Sequence, residues 1–187
     1  MRELADSARI EQFMRELGRA VQVEGRVYLT GGATAVLHGW RDTTIDIDIK
    51  LIPDRDEILR EIPQLKEALS LNVELAAPSD FIPLPSGWED RSPLIRQESK
   101  LSFHHFDPVA QALSKIERGH EQDIHDVKEM VSAGLVNPAE ALIQFKAIEP
   151  ELYRFPAIDP VTFRKAVEEL FSELVGREGL EPSTDGL

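Results

Sequence analysis

Apolar residues recur at helical spacing between about Asp6 and Val23, at Ile10, Phe13, Met14, Leu17 and Val21. Asp6 or Ser7 stands where a cap belongs. Gly25 closes this segment, and the short apolar run from Val27 to Thr30 predicts a buried strand. Gly31 and Gly32 break that strand, and ATAVLHG predicts a brief helix closed by Gly39. From Thr43 to Leu51 the chain reads TTIDIDIKL, alternating and rich in β-branched residues, which predicts a second strand. Its isoleucines Ile45, Ile47 and Ile49 would face a core.

Pro53 and Asp54 turn the chain into DEILREIPQLKEAL, helical in period but interrupted by Pro63. Leu71 to Ala76, LNVELA, predicts a third strand. A proline-rich stretch from Ala77 to about Ser92 predicts a long ordered loop, and LIRQE with KLSFHHF predicts a hairpin at a sheet edge. After Asp107 and Pro108 the pattern becomes helical, in PVAQALSKIERG, EQDIHDVKEMVSAG, NPAEALIQFKAI and DPVTFRKAVEELFSELVG. The expected architecture is α+β, with an α/β-like core of mixed sheet and flanking helices followed by a helical C-terminal subdomain. The expected boundaries are a core over 1–106, a helical part over 107–176 and a tail over 177–187, where apolar content and period both fade.

Composition narrows the setting. The 187 residues include no Cys, so neither a disulfide framework nor a thiolate metal site is available. No apolar run approaches the length of a membrane span, and the start carries acids within an amphipathic pattern, unlike a signal peptide. A cytoplasmic protein with no membrane partner is expected. The formal net charge of −13 argues against non-specific binding along a nucleic-acid backbone. A local patch of Arg91, Arg96, Lys100, Lys115 and Arg118 could still receive an acidic acceptor.

The chemistry is carried by the second strand. Residues two apart on a strand share a face, so Asp46 and Asp48 project together. Paired carboxylates repel each other, and a divalent cation with a taste for hard oxygen ligands, magnesium or manganese, relieves that repulsion. A strand that ends in Gly31 and Gly32 offers bare backbone N–H groups to a phosphate. A metal pair and a phosphate cradle separated by one short helix suit a nucleoside triphosphate with its metal.

Over Thr30 to Ile49, TGGATAVLHGWRDTTIDIDI resembles the signature of the DNA polymerase β-type nucleotidyltransferase superfamily. That signature is a Gly-Gly or Gly-Ser turn, a short helix, then an acid, an apolar residue and a second acid on the next strand. The resemblance extends more loosely from Val27 to Phe106. It implies a nucleotidyltransferase fold and transfer of a nucleoside monophosphate from a triphosphate such as ATP or GTP to a hydroxyl, on an RNA (tRNA included), a protein or a small molecule. Asp46 and Asp48 would hold the metal, and Thr30, Gly31 and Gly32 the nucleotide. Gly32 departs from the Gly-Ser form, which removes one hydroxyl contact to phosphate. The resemblance also implies a third carboxylate from a later strand, catalytic and a metal ligand, for which Glu74 has the matching context and Asp80 is the alternative.

Further on, ALSKIERGHEQDIHDV resembles the C-terminal motif of abortive-infection toxins of the AbiEii type. This implies that Lys115 acts in catalysis and nucleotide binding, with Arg118, Asp123 and Asp126 beside it, and that a toxin–antitoxin partner protein exists. Gln122 stands where those proteins usually carry Arg. A rival reading is a nucleotide-binding or toxin–antitoxin partner module that keeps the fold without turnover.

Other polar residues lead elsewhere. Adjacent His104 and His105 on a strand point to opposite faces, and His120 and His125 lie five apart, off the helical zinc spacing. Trp40 and Trp88 beside turns could stack on a base, although core packing accounts for them as well. Neither a phosphate-binding P-loop nor a serine-hydrolase elbow is present in the sequence.

Overall fold

The computed structural model describes residues 3–178, and side chains through 176. The chain divides into two compact units. One comprises the chain up to Asp80 together with Gly87–Asp107, and the other comprises Phe81–Ser86 and the chain from Pro108 onward. The division therefore does not fall at one point along the chain.

The first unit holds a five-stranded mixed sheet in the order β3-β2-β1-β5-β4. Helix α1, Ser7–Ala20, begins where Asp6 accepts a hydrogen bond from the Arg9 N–H at 2.9 Å. Strand β1, Gly25–Thr30, leads through Gly31 into α2, Gly32–His38, which Gly39 ends in the left-handed conformation at φ 88°. Strand β2 spans Asp46–Ile52 and runs antiparallel to β1. It starts three residues later than the alternation predicted. Thr44 instead pairs with Ala5 in an isolated bridge, and Ile45, expected in the core, is 68% exposed because no ladder yet fixes its face.

The helical period after Pro53 resolves into two pieces, α3 (Asp56–Leu59) and α4 (Glu61–Ala68). Pro63 falls in the first turn of α4, where a missing N–H breaks no intrahelical bond. Strand β3, Asn72–Leu75, runs parallel to β2. The proline-rich loop contains a 3-10 turn at Pro78–Asp80. Strands β4 (Leu94–Glu98) and β5 (Leu101–His105) form the predicted hairpin, with β4 at the edge and β5 inserted parallel to β1.

One face of the sheet is apolar. Val27, Leu29, Ile47, Ile49, Leu51, Val73, Leu101 and Phe103 pack with Ile10, Phe13, Met14 and Leu17 of α1 into one core. His105 joins this side, 8% exposed, with Nδ1 3.3 Å from Thr34 Oγ1 and its ring 4.4 Å from that of His38. His104 faces the other way, as the strand period requires. Across that second face, Tyr28 is covered by Trp88, which stacks on Phe106 with ring centroids 4.5 Å apart. Trp40 stacks on His38.

The second unit is helical: α5 (Pro108–Arg118), α6 (Glu121–Ser132), α7 (Pro138–Ile148), a 3-10 segment (Glu149–Arg154) and α8 (Pro160–Glu178). The architecture is thus the α+β fold with a helical C-terminal region. Helix α8 runs through the first two positions of the expected tail, and the rest of that tail lies outside the described residues. Among the described residues no helix is long and apolar enough to cross a membrane.

Candidate active site on the polar face of the sheet

Cross-strand register builds the site. Asp46 and Asp48 alternate with buried Ile47 and Ile49 along β2, so both carboxylates emerge half-buried on the face opposite the core. The parallel ladder sets Asn72 opposite Asp46 and Glu74 opposite Asp48. On the other side the antiparallel ladder sets Thr30, the last residue of β1, opposite Asp48. Opposed residues in a ladder share a face, so Thr30, Asp46, Asp48, Asn72 and Glu74 form one polar surface. Lys50 continues the row and donates to Ser79 Oγ at 3.1 Å.

Asn72 ties the acids together. Its Nδ2 donates to Asp46 Oδ1 and to Glu74 Oε1, the latter at 2.9 Å. A neutral amide with two donor hydrogens is well suited to sit between two carboxylates that would otherwise repel. Of the two candidates for a third acid, Glu74 lies beside Asp48 in register. Asp80 instead turns back to accept the Ala77 N–H at 2.8 Å within the 3-10 turn.

The glycine turn abuts the same carboxylates. Gly31 has φ 62° and ψ −130°, a region that residues with a Cβ avoid. A Cβ there would also come within 2.7 Å of Asp48 Oδ2. Gly32 is excluded from carrying a side chain for a separate reason. A Cβ on it would meet Thr44 Oγ1 at 2.1 Å, with Arg41 Nη1 3.7 Å away. The Thr44 hydroxyl therefore fills the space a serine at position 32 would need, and it donates to the Asp46 carbonyl at 3.0 Å.

Asn72, Thr44 and Arg41 were not anticipated from the sequence. Asn72 was within reach, since it precedes Glu74 by two residues on a strand and must share its face. Arg41 and Thr44 sit in an irregular connection, where no periodicity reports direction.

The donor set fits a hard divalent cation. Magnesium keeps several waters and commonly takes only one or two protein carboxylates together with substrate phosphates. Asp46 and Asp48 supply that number. Among the described residues no group of three or more His, Cys, Asp or Glu side chains is placed to hold a metal ion together.

Lys115, Arg118, Asp123 and Asp126 come together in the helical unit. Lys115 Nζ lies 2.6 Å from Asp126 Oδ2 and 3.2 Å from Asp123 Oδ1, with its side chain 4% exposed. Arg118 reaches Asp123 at 2.7 Å, and Gln122 donates to Asp126 at 3.4 Å. Of the five basic residues considered for a local patch, four pair with carboxylates of their own unit and, among the described residues, Lys100 does not. Arg91 pairs with fully buried Asp107 at 2.7 Å, Arg96 with Glu11 at 3.6 Å, and Lys115 with the buried acids of α6.

A mixed sheet bearing two half-buried aspartates next to a glycine turn is the arrangement expected from the resemblance to nucleotidyltransferases. The family model "Nucleotidyltransferase of unknown function (DUF6036)" matches residues 7–140, and the chain belongs to that family. No curated protein and no solved structure is a significant match to the chain.

Proposed function

We propose that the protein transfers a nucleoside monophosphate from a nucleoside triphosphate to an acceptor hydroxyl and releases pyrophosphate. The observation that carries this reading is the register that sets Asp46, Asp48 and Glu74 on one face, with Asp48 occupying the space a Cβ on Gly31 would enter. Asp46 and Asp48 would hold magnesium or manganese, which supplies charge neutralisation to the triphosphate and to the leaving oxygen. Thr30 and the bare backbone of Gly31 and Gly32 receive the phosphates, and the Arg41 guanidinium beside the turn adds a fixed cation. The acceptor hydroxyl forms a bond to the α-phosphorus as the bond from that phosphorus to the pyrophosphate oxygen breaks. Glu74, exposed at the rim, takes the hydroxyl proton. Lys115, Arg118 and Asp123 enter through the resemblance of their helices to AbiEii-type toxins, which also supports an RNA or protein acceptor and an antitoxin-like partner.

A second reading, nucleotide binding without turnover, is favoured by Asn72, whose amide occupies both Asp46 and Glu74. Incubation with each α-labelled triphosphate and magnesium, with and without total RNA or candidate proteins, separates the two. Label transferred to an acceptor with pyrophosphate release is the expected result. Saturable triphosphate binding with no transfer to any acceptor selects the second reading, and no binding overturns both.

A further inference from the structure

The far end of the same sheet holds a second polar pocket. It is an open concavity of about 460 Å³ lined by Arg26, Arg55, Lys100, Glu24, Gln97 and Ser102, among others. Register places it: Arg26 opposes Ile52 on one side and Ser102 on the other, four residues back along β1 from Thr30 and Asp48. At roughly 3.3 Å per residue that is about 13 Å from the aspartates. The pocket is therefore distinct from the carboxylate site, although it opens on the same face.

Its charge runs against the rest of the chain. The protein carries a net −13, yet three cations and one acid line this cavity. Arg26 has a partner, Glu89, at 3.1 Å. Among the described residues the side chains of Arg55 and Lys100 make neither an ion pair nor a hydrogen bond. Both are exposed, at the turns that follow β2 and precede β5. Elsewhere in this acidic chain Arg91, Arg96, Lys115 and Arg118 all find carboxylates. Two unengaged cations facing one concavity leave an electrostatic demand that a ligand can meet.

We propose that this pocket binds a phosphoryl group carried on a ribose-sized body. An arginine fork and a lysine point charge together recognise phosphate oxygens through charge-assisted hydrogen bonds. Ser102 and Gln97 offer further polar contacts at the wall. The volume lies within the range of small-ligand pockets, about 300–1,000 Å³, which exceeds the needs of a bare ion. Two sources share this chemistry, a free mononucleotide and a phosphodiester segment of a single-stranded oligonucleotide.

The test uses the full chain in EDTA, so that the aspartate site is not loaded with metal. A fluorescent nucleoside 5′-monophosphate and a fluorescent single-stranded 8-mer are titrated separately and followed by anisotropy. Binding of either is expected, at least tenfold weaker in Arg55→Ala/Lys100→Ala and unchanged in Asp48→Asn. Binding of the monophosphate identifies a free-nucleotide site, and binding of the 8-mer alone identifies a strand-holding site. Lys100→Arg, which keeps the charge, should retain most of the affinity. No binding of either probe, or equal binding by the double variant, overturns the proposal. Because both substituted residues are exposed, thermal melting should show wild-type stability. Loss of binding in Asp48→Asn would instead assign the probe to the aspartate site, and the pocket would then be abandoned.

Discussion

Removal of the Lys115 ammonium is a sharp test of what holds the helical unit. The side chain is 4% exposed, and its two carboxylate partners on α6 are 0% and 9% exposed, at 2.6 and 3.2 Å. Lys115→Ala would leave Arg118 on Asp123 and Gln122 on Asp126, and would remove the ammonium that lies 2.6 Å from Asp126 Oδ2. Breaking a buried pair by deleting one partner costs about 3–5 kcal/mol, against about 0–1 kcal/mol for an exposed pair. The larger range applies here, because all three groups have left water. Urea unfolding followed by far-UV circular dichroism should therefore show a midpoint lowered by more than 1 M, for a slope of about 1–3 kcal/mol/M. Lys115→Met/Asp126→Asn should lose markedly less than the sum of its single variants, since it removes the stranded charge with its partner. A single-variant loss below about 1 kcal/mol would refute the burial argument. Calorimetric titration of a triphosphate into the folded variant asks the separate question of contact with the nucleotide. A charged hydrogen bond to phosphate predicts a weakening of about 1.5–3 kcal/mol, and unchanged affinity would confine Lys115 to joining α5 and α6.

Three further perturbations address the sheet unit. Asp46→Asn and Asp48→Asn should each abolish magnesium-dependent transfer yet leave melting unchanged or raised by about 0.5–1 kcal/mol, as like-charge repulsion is relieved; full activity in both would remove the metal assignment. Gly31→Ala should cost about 1–3 kcal/mol through backbone strain and push Asp48 aside; an unchanged melting temperature would contradict the turn geometry. Burial, and secondarily the charge of His38, lowers the His105 pKa to about 3 from 6.5. The folded state therefore favours neutral imidazole, and its stabilising effect is complete above pH 6.5 and lost progressively as pH falls toward 3. At pH 5 the loss is about 2 kcal/mol, so His105→Gln should flatten the stability difference between pH 7.5 and 5, and an equal slope in both proteins would refute it.

The parts of this molecule that were legible in its sequence are those governed by local period. Alternation through DIDIK determines which side chains share a face, so the aspartate pair could be read directly. Helix ends at Asp6 and Gly39 follow from capping chemistry that acts over a few residues. Illegible features depend on partners far along the chain. Ile45 continues the alternation yet stays outside, because β2 pairs with β3 only from Asp46 onward and with β1 only from Asp48 onward. Arg91, Arg96 and Lys115 gave no sign of their partners because Asp107, Glu11 and Asp126 approach them only after folding.

The glycine turn shows the same division within the site itself. Its need for a positive φ at Gly31 is local, and a strand ending in two glycines announces it. The second glycine has a different cause, since Thr44 arrives from the far side of α2 and places its hydroxyl where a serine at 32 would begin. A Gly-Gly turn in this chain is thus not a Gly-Ser turn lacking a contact. It is one half of a pairing whose other half, Thr44, is itself fixed by its bridge to Ala5 and its bond to the Asp46 carbonyl. The hydroxyl at the turn and the start of the carboxylate strand are consequently held by one residue. A change at Thr44 should displace both together, whereas a change at Asn72 should release the Asp46 and Glu74 carboxylates it bridges.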